Sequence, residues 1–323
     1  MADEIADLVR YVGVHVPDYP LMVPWAKPVE LSNGALQFRA DESVYNLRHP
    51  LFVKTFSAIR PMLDGKYSVA EIANCETSDI LPTTIIFLLK TLTGLGLLVD
   101  AGSIPASSPF ERDQALFLTQ FPCDPAVVVA RVSAARVLVA GSGSMRDEVS
   151  EKITATGALA WLSPGFDTLA DDRPDLVVYC DSSAAESNAG YFNEIALQQN
   201  IPVLYVQVFG QHALLGPLVI PGETSCLECK RTRVRCNGLA AGEESYLESS
   251  AGQFDATAFP PFRAILAGHI AGEVHRILGR YAPPATLGQC LEISATSPSA
   301  RRHYILRVPG CIACGKWQAE AQW

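Results

Sequence analysis

Short apolar runs separated by turns and amphipathic stretches organise the chain from residue 136 onward. RVLVAG (136–141) is of strand length, and a Gly-Ser turn and a polar-faced stretch separate it from a second apolar run before SPG (163–165). DLVVYCDSS (175–183), a helical stretch through ESNAGYFNEIALQQN (186–200) and IPVLYVQV (201–208) repeat the alternation. Apolar runs bounded by turn signals read as buried strands, and strands alternating with helical patterns predict βαβ units. This part is expected to be α/β, an open and mainly parallel sheet with covering helices. Further on, FRAILAGHIAGEVHRIL (262–278) places Leu266, Ile270, Val274 and Ile277 on one helical stripe. His269 and His275, six apart, fall on different faces of that helix and read as surface or packing residues.

The front of the chain has a different pattern. Ser32-Asn33-Gly34 separates two short strand-like runs, RADE leads to a third, SVYNL, and helical stretches follow at 50–60, from Ser68 and at 81–93. Ser68 and Glu71 form the S-x-x-E signature of a capping box. GLGLLVD then returns as an extended segment, so three strands and three helices predict a winged-helix-like unit. A helix with only Lys90 to offer phosphates does not suit DNA. The Ser-, Pro- and Ala-rich stretch 101–114 reads as a linker, dividing the chain into domains 1–103 and 104–323.

Composition changes little in this picture. The chain has 323 residues, 49% apolar and 18% charged, enough for a sizeable core and about two domains. Its formal net charge of −9 argues against a nonspecific nucleic-acid surface. The acidic N-terminal stretch lacks the basic start of a secretory signal, and no apolar run approaches the roughly 20 residues that span a bilayer. A cytoplasmic protein without nucleic-acid or membrane partners is the expectation.

The cysteines carry the clearest chemistry. Cys226 and Cys229 lie in PGETSCLEC, and Cys311 and Cys314 in PGCIAC, each pair just after a Pro-Gly turn. One Cys-x-x-Cys turn supplies two thiolates about 3.5–4 Å apart, and two such turns complete the tetrahedron of a structural zinc site. A zinc held by four cysteines has no open coordination position, so its expected role is to stabilise the fold. Cys75, Cys123, Cys180, Cys236 and Cys290 stand alone and read as small buried apolar residues.

Together, the Gly-rich βαβ start, DLVVYCD, QNIPVLYV, GPLVIPGETSCLEC and CIACG resemble the E1-like (ThiF-type) fold of ubiquitin-type activating enzymes and their bacterial relatives, over about residues 130–318. The resemblance implies a Rossmann-like domain that binds ATP and adenylates a carboxyl terminus in its active members. The Gly141-Ser142-Gly143-Ser144 turn can cradle a phosphate, yet Arg146 replaces the third glycine of the usual fingerprint. Where active members carry an acid for the ribose, this sequence has Ser163, and barely a dozen residues follow before the next strand, too few for the arginine clamp. Asp181 matches the magnesium-holding aspartate but is followed by Ser182 in place of Asn. Gly141, Gly143 and Asp181 are thus expected to be a vestigial nucleotide site with no catalytic residues, and the chain is expected not to be an enzyme by itself.

LDGKYSVAEIA, the helix after it and GLGLLVD resemble the PqqD-like peptide-recognition element of enzymes that modify ribosomally made peptides. That resemblance implies that a leader peptide adds as a strand beside Ser43, Val44, Tyr45, Asn46 and Leu47, against Thr84, Phe87, Leu88 or Thr91 of the third helix. A recognition element joined to a degenerate E1-like domain resembles the partner protein of azoline-forming YcaO cyclodehydratases. The implied role is to bind the leader and present the core to the YcaO enzyme for thiazoline or oxazoline formation. Two alternatives stay open: an active ATP-dependent peptide-adenylating enzyme, and a leader-binding scaffold for another modifying enzyme such as a dehydratase. E1-like domains commonly pair, so a homodimer is a further expectation.

Overall fold

Helix formation in the first unit starts from local hydrogen bonding. The Ser68 hydroxyl accepts from the Glu71 N–H at 3.3 Å and the Glu71 carboxylate accepts from the Ser68 N–H at 2.7 Å, closing the capping box. At the Ser32-Asn33-Gly34 turn, Gly34 has φ +75° and the Asn33 side chain accepts from the Ala35 N–H at 3.1 Å, which fixes a hairpin. The computed structural model describes residues 14–39, 43–75, 80–104, 109–141, 143–163, 173–181, 189–209, 211–236, 259–297 and 299–315. The chain divides into two compact units, Met1–Val129 and Ala130–Trp323.

In the first unit, β1 (Pro20–Met22) pairs with β5 (Leu98–Asp100), and β2 (Lys27–Glu30), β3 (Leu36–Arg39) and β4 (Val44–Leu47) form an antiparallel sheet in that order. Helices α1 (Phe52–Ile59), α2 (Val69–Ala73) and α3 (Pro82–Gly94) supply Phe56, Ile59, Ile72, Ile85, Leu88, Leu89 and Leu92 to a core completed by Leu36 and Phe38. Phe38 meets Phe56 edge to face, centroids 5.2 Å apart. Within the stretch expected as linker, α4 (Pro109–Leu118) is helical, with proline at its first position where the missing N–H costs nothing. Thr119, just beyond it, accepts a 3.2 Å hydrogen bond from the Trp25 indole, tying this segment to the first unit. Next comes α5 (Pro125–Ala134).

The second unit is built on β6 (Arg136–Gly141), α6 (Ser144–Thr154), β7 (Leu159–Ser163), β8 (Leu176–Asp181), α7 (Ala189–Gln198), β9 (Val203–Phe209), β10 (His212–Val219), α8 (Leu227–Cys236), α9 (Pro260–Gly279), β11 (Gln289–Ser294) and β12 (Ala300–Tyr304). Its sheet runs β12-β11-β10-β9-β8-β6-β7. The β7-β6-β8-β9 half is parallel and the β10-β11-β12 half antiparallel, so the sheet is mixed where a mainly parallel one is expected. Leu138 and Ala140 of β6 face the core shared with α7, while Val137 and Val139 are buried on the opposite side. Helix α9 buries Leu266, Ile270 and Val274 and is joined to α6 by a 2.8 Å Arg263–Glu148 ion pair. Its Glu273 carboxylate, almost fully buried, accepts from the Thr286 N–H and hydroxyl at 2.7 Å each and from Arg276 at 2.9 Å. No helix among the described residues is long and apolar enough to cross a membrane.

His275, buried in α9 and 3.2 Å from the Tyr281 hydroxyl, has its pKa lowered from 6.5 by burial and by the neighbouring Arg276. Below pH 6.5 the unfolded chain takes up a proton that the folded chain refuses, so stability is full above that pH and falls as the pH drops. The slope from this group reaches at most about 1.4 kcal/mol per pH unit. Urea unfolding of the wild type and His275→Gln between pH 7.5 and 5.5 is expected to give a shallower acid slope in the variant. Equal slopes would show that His275 is not held neutral.

Candidate functional site

Two glycine turns aim the cysteine pairs at one point. Gly222 and Gly310, each following a proline, have φ of +81° and +69°, conformations that glycine adopts without strain. Cys226 precedes α8, Cys229 sits in its first turn, and Cys311 and Cys314 lie in the C-terminal segment. The four sulfurs lie within 4.8 Å of one another, with Cys226–Cys229 at 3.8 Å, Cys226–Cys311 at 3.7 Å and Cys229–Cys314 at 3.5 Å. A tetrahedron with metal–sulfur bonds of about 2.3 Å has edges of about 3.8 Å, so the donor set fits a four-thiolate centre. All four residues are buried.

The surrounding bonds hold the two knuckles together. Arg307 donates to the Gly222 carbonyl at 2.8 Å and the Cys314 carbonyl at 3.4 Å. Arg233 of α8 donates to the Leu306 and Arg307 carbonyls at 2.7 and 3.1 Å, and the Ser225 hydroxyl to the Ile305 carbonyl at 2.9 Å. Val308 N–H points at the Cys229 sulfur, 3.3 Å away. Burial pushes the Cys226 and Cys314 thiols up; at Cys311 burial is outweighed by N–H groups of Cys314 and Ala313, which hold it down. Four thiolates this close would repel one another, and a divalent cation removes that cost.

At the carboxyl ends of the parallel strands, Gly141 pairs in register with Cys180, the residue before Asp181. A Cβ on Gly141 would lie 1.8 Å from the Cys180 carbonyl oxygen, so only glycine fits there. Gly143, φ +86°, stands at the start of α6. Arg146 reaches back to the Gly141 carbonyl at 3.3 Å and pairs with Asp147 at 3.0 Å, placing a guanidinium at this turn. Asp181 ends β8, and Ser163, buried, ends β7.

In the first unit β4 is an edge strand, paired only with β3 among the described residues. Ser43, Val44 and Asn46 are exposed, Val44 to 56%, while Tyr45 and Leu47 turn toward the core. On α3, Thr84 and Phe87 are half-buried, whereas Leu88 is fully buried and Thr91 is buried with its hydroxyl donating to the Phe87 carbonyl at 2.9 Å. Phe87 stacks near Phe52 and His49, centroids 5.5 and 6.4 Å away, and His49 lies 4.7 Å from Phe52. His49, half-buried, and Phe52, buried in the core, follow just past the end of β4.

No family model matches this chain, and no curated protein matches it. Solved structures do. A heterocyclase in complex with substrate and cofactor is 19% identical with a TM-score of 0.71, over 92% of this chain and 39% of that one. The heterocyclase TruD is 20% identical with a TM-score of 0.71, over 93% and 43%. MccB of E. coli with MccA-N7isoASN is 15% identical with a TM-score of 0.65, over 92% and 99%. This chain has their fold. It spans about two fifths of the heterocyclases and nearly all of MccB.

These likenesses correct one expectation. A chain that is not an enzyme by itself conflicts with neighbours that are a heterocyclase, held with substrate and cofactor, and a microcin C7 biosynthetic enzyme. The expectation took the missing ribose acid at Ser163 and the missing arginine clamp after it as the loss of all chemistry.

The cluster predicts one tightly held metal per chain. Cys226→Ser or Cys311→Ser is expected to lower bound metal to well below one equivalent and to cost several kcal/mol of stability. Elemental analysis with urea unfolding checks this. Full metal content in either variant, or unchanged stability after its loss, would contradict it.

Proposed function

We propose that this chain is the peptide-recognising, E1-like part of an azoline-forming enzyme that modifies a ribosomally made peptide. The leader of the precursor adds as a strand to β4, and the core is presented to a YcaO-type cyclodehydratase that closes thiazoline or oxazoline rings. The observation that carries this reading is the likeness to two heterocyclases over 92% and 93% of the chain, while the chain spans only 39% and 43% of theirs. The open β4 edge supports the peptide role, since unpaired backbone groups give affinity and alternate side chains give selectivity. Thr84, Phe87 and His49, each half-buried, are the neighbouring side chains available for that selectivity.

The metal in this reading is zinc, which suits four thiolates in a tetrahedron and, fully ligated, holds the fold without taking part in the reaction. A cytoplasmic setting, where thiols stay reduced and precursors are made, fits that chemistry. Pairing into a homodimer belongs to the same reading.

A second reading is an ATP-dependent enzyme that activates its peptide alone. Its support is the match to 99% of MccB, solved elsewhere with AMPCPP and MccA. Pyrophosphate exchange by the isolated chain with precursor separates the two.

A proline at Tyr45 or Asn46 removes an N–H and distorts the edge strand. In fluorescence polarisation with a labelled cognate leader, folded variants are expected to bind more than about tenfold more weakly, a cost above about 1.4 kcal/mol. With the YcaO partner and ATP they are expected to slow ring formation on precursor. Undiminished leader binding would place recognition elsewhere.

A further inference from the structure

A lysine is buried where nothing visible balances its charge. Lys230, in the α8 stretch LECKRTRVRC, is only 6% exposed. Among the described residues its ammonium has one hydrogen-bond partner, the neutral Gln207 carbonyl oxygen at 2.6 Å, and no carboxylate within ion-pair reach. Long charged side chains are almost never this buried without a counter-charge, and an unpaired buried cation costs several kcal/mol.

Among the carboxylates on this side, Glu228 and Glu292 are engaged by other cations, and Asp181 stands in register beside Gln207. Glu228 of the same helix meets Arg235 at 3.3 Å and Arg231 at 3.8 Å. Glu292 lies on the same face of the sheet, through the register Gln207–Leu214–Glu292, and is held by His303 at 2.8 Å, His212 at 3.6 Å and Arg301 at 3.8 Å. The nearby Cys290 thiol is pushed up to about 11 by burial, with Lys230 pulling the other way, so it stays a neutral thiol near pH 7. At the metal cluster, Arg307 is the cation that bridges the knuckles.

The position is also that of a ligand edge. Gln207 pairs with Asp181, the last residue of β8, so the ammonium sits near the carboxyl ends of the parallel strands, where open α/β sheets bind ligands. We propose that Lys230, oriented by Gln207, is the receptor for an oxyanion of the substrate, a carboxylate or a phosphate. The ion pair completed on binding would balance the charge that the free protein leaves exposed to a poor dielectric. This site belongs to the second unit and does not depend on leader capture by the first.

The test uses the full, metal-loaded chain and its Lys230→Met and Lys230→Gln variants, followed by thermal unfolding with millimolar probes. The probes are inorganic pyrophosphate, acetyl-trialanine with a free carboxylate, and acetyl-trialanine amide. Without probe, both variants are expected to be as stable as the wild type or more so, with one metal retained. The wild type is expected to be stabilised by pyrophosphate if the group is a phosphate, or by the peptide acid and not its amide if it is a carboxylate; the variants respond to neither. Variants that fail to fold, or whose folding equilibrium drops more than tenfold with metal retained, would show that the ammonium is already paired within the chain. A wild type that answers no probe, or variants that answer like the wild type, would equally overturn the proposal.

Discussion

The second unit depends on four buried sulfurs being drawn to within 4.8 Å of one another, a spacing that suits a single metal ion. They come from two places 85 residues apart, and the 3.5–3.8 Å separations tie the start of α8 to the C-terminal segment. That closure orders a long loop, whose entropic cost a metal held there would offset better than a few hydrogen bonds could. Arg233, Arg307 and Ser225 then fix the angle at which the two strands of chain cross. Leu227, at the head of α8, is held in turn by its N–H to the buried Asn193 side chain at 3.1 Å, which docks α8 against α7. The four-cysteine cluster thereby lies at the start of the helix that carries Lys230.

The first unit works by the opposite device. Its core is closed, with Phe38, Phe56, Ile59 and Leu88 fully or almost fully buried, but its small sheet is left open at β4. An open edge invites strand pairing and is normally guarded. Here Val44 and Asn46 face solvent, with half-buried His49 and Phe87 6.4 Å apart by their ring centroids, which suits an edge kept for a partner strand.

Local chemistry was legible in the sequence and long-range packing was not. The capping box at Ser68 and Glu71, the Asn33-Gly34 turn and both cysteine knuckles each depend on residues a few positions apart, and each forms as read. The antiparallel half of the sheet escaped notice because ARRHY, which becomes β12, is exposed at all five positions and shows no alternation. PLM, which becomes β1, is too short to signal a strand. On α3 an apolar sequence on nearly every side hid which face would be buried, so Leu88 and Thr91 could not be told from Thr84 and Phe87. Lys230 sits among arginines on a polar helix and reads as a solvated side chain; in the fold it is buried and donates to Gln207 of β9.

The account's central claim is that this protein reads a peptide through backbone hydrogen bonds at an open sheet edge. Amide hydrogen exchange of the full chain, with and without its cognate precursor peptide, tests that claim where the bonds would form. Slowed exchange on binding is expected at 43–47 and along the exposed side of α3, because N–H groups of the edge gain partners. Protection confined to residues 130–323, with β4 exchanging as in the free protein, would contradict it.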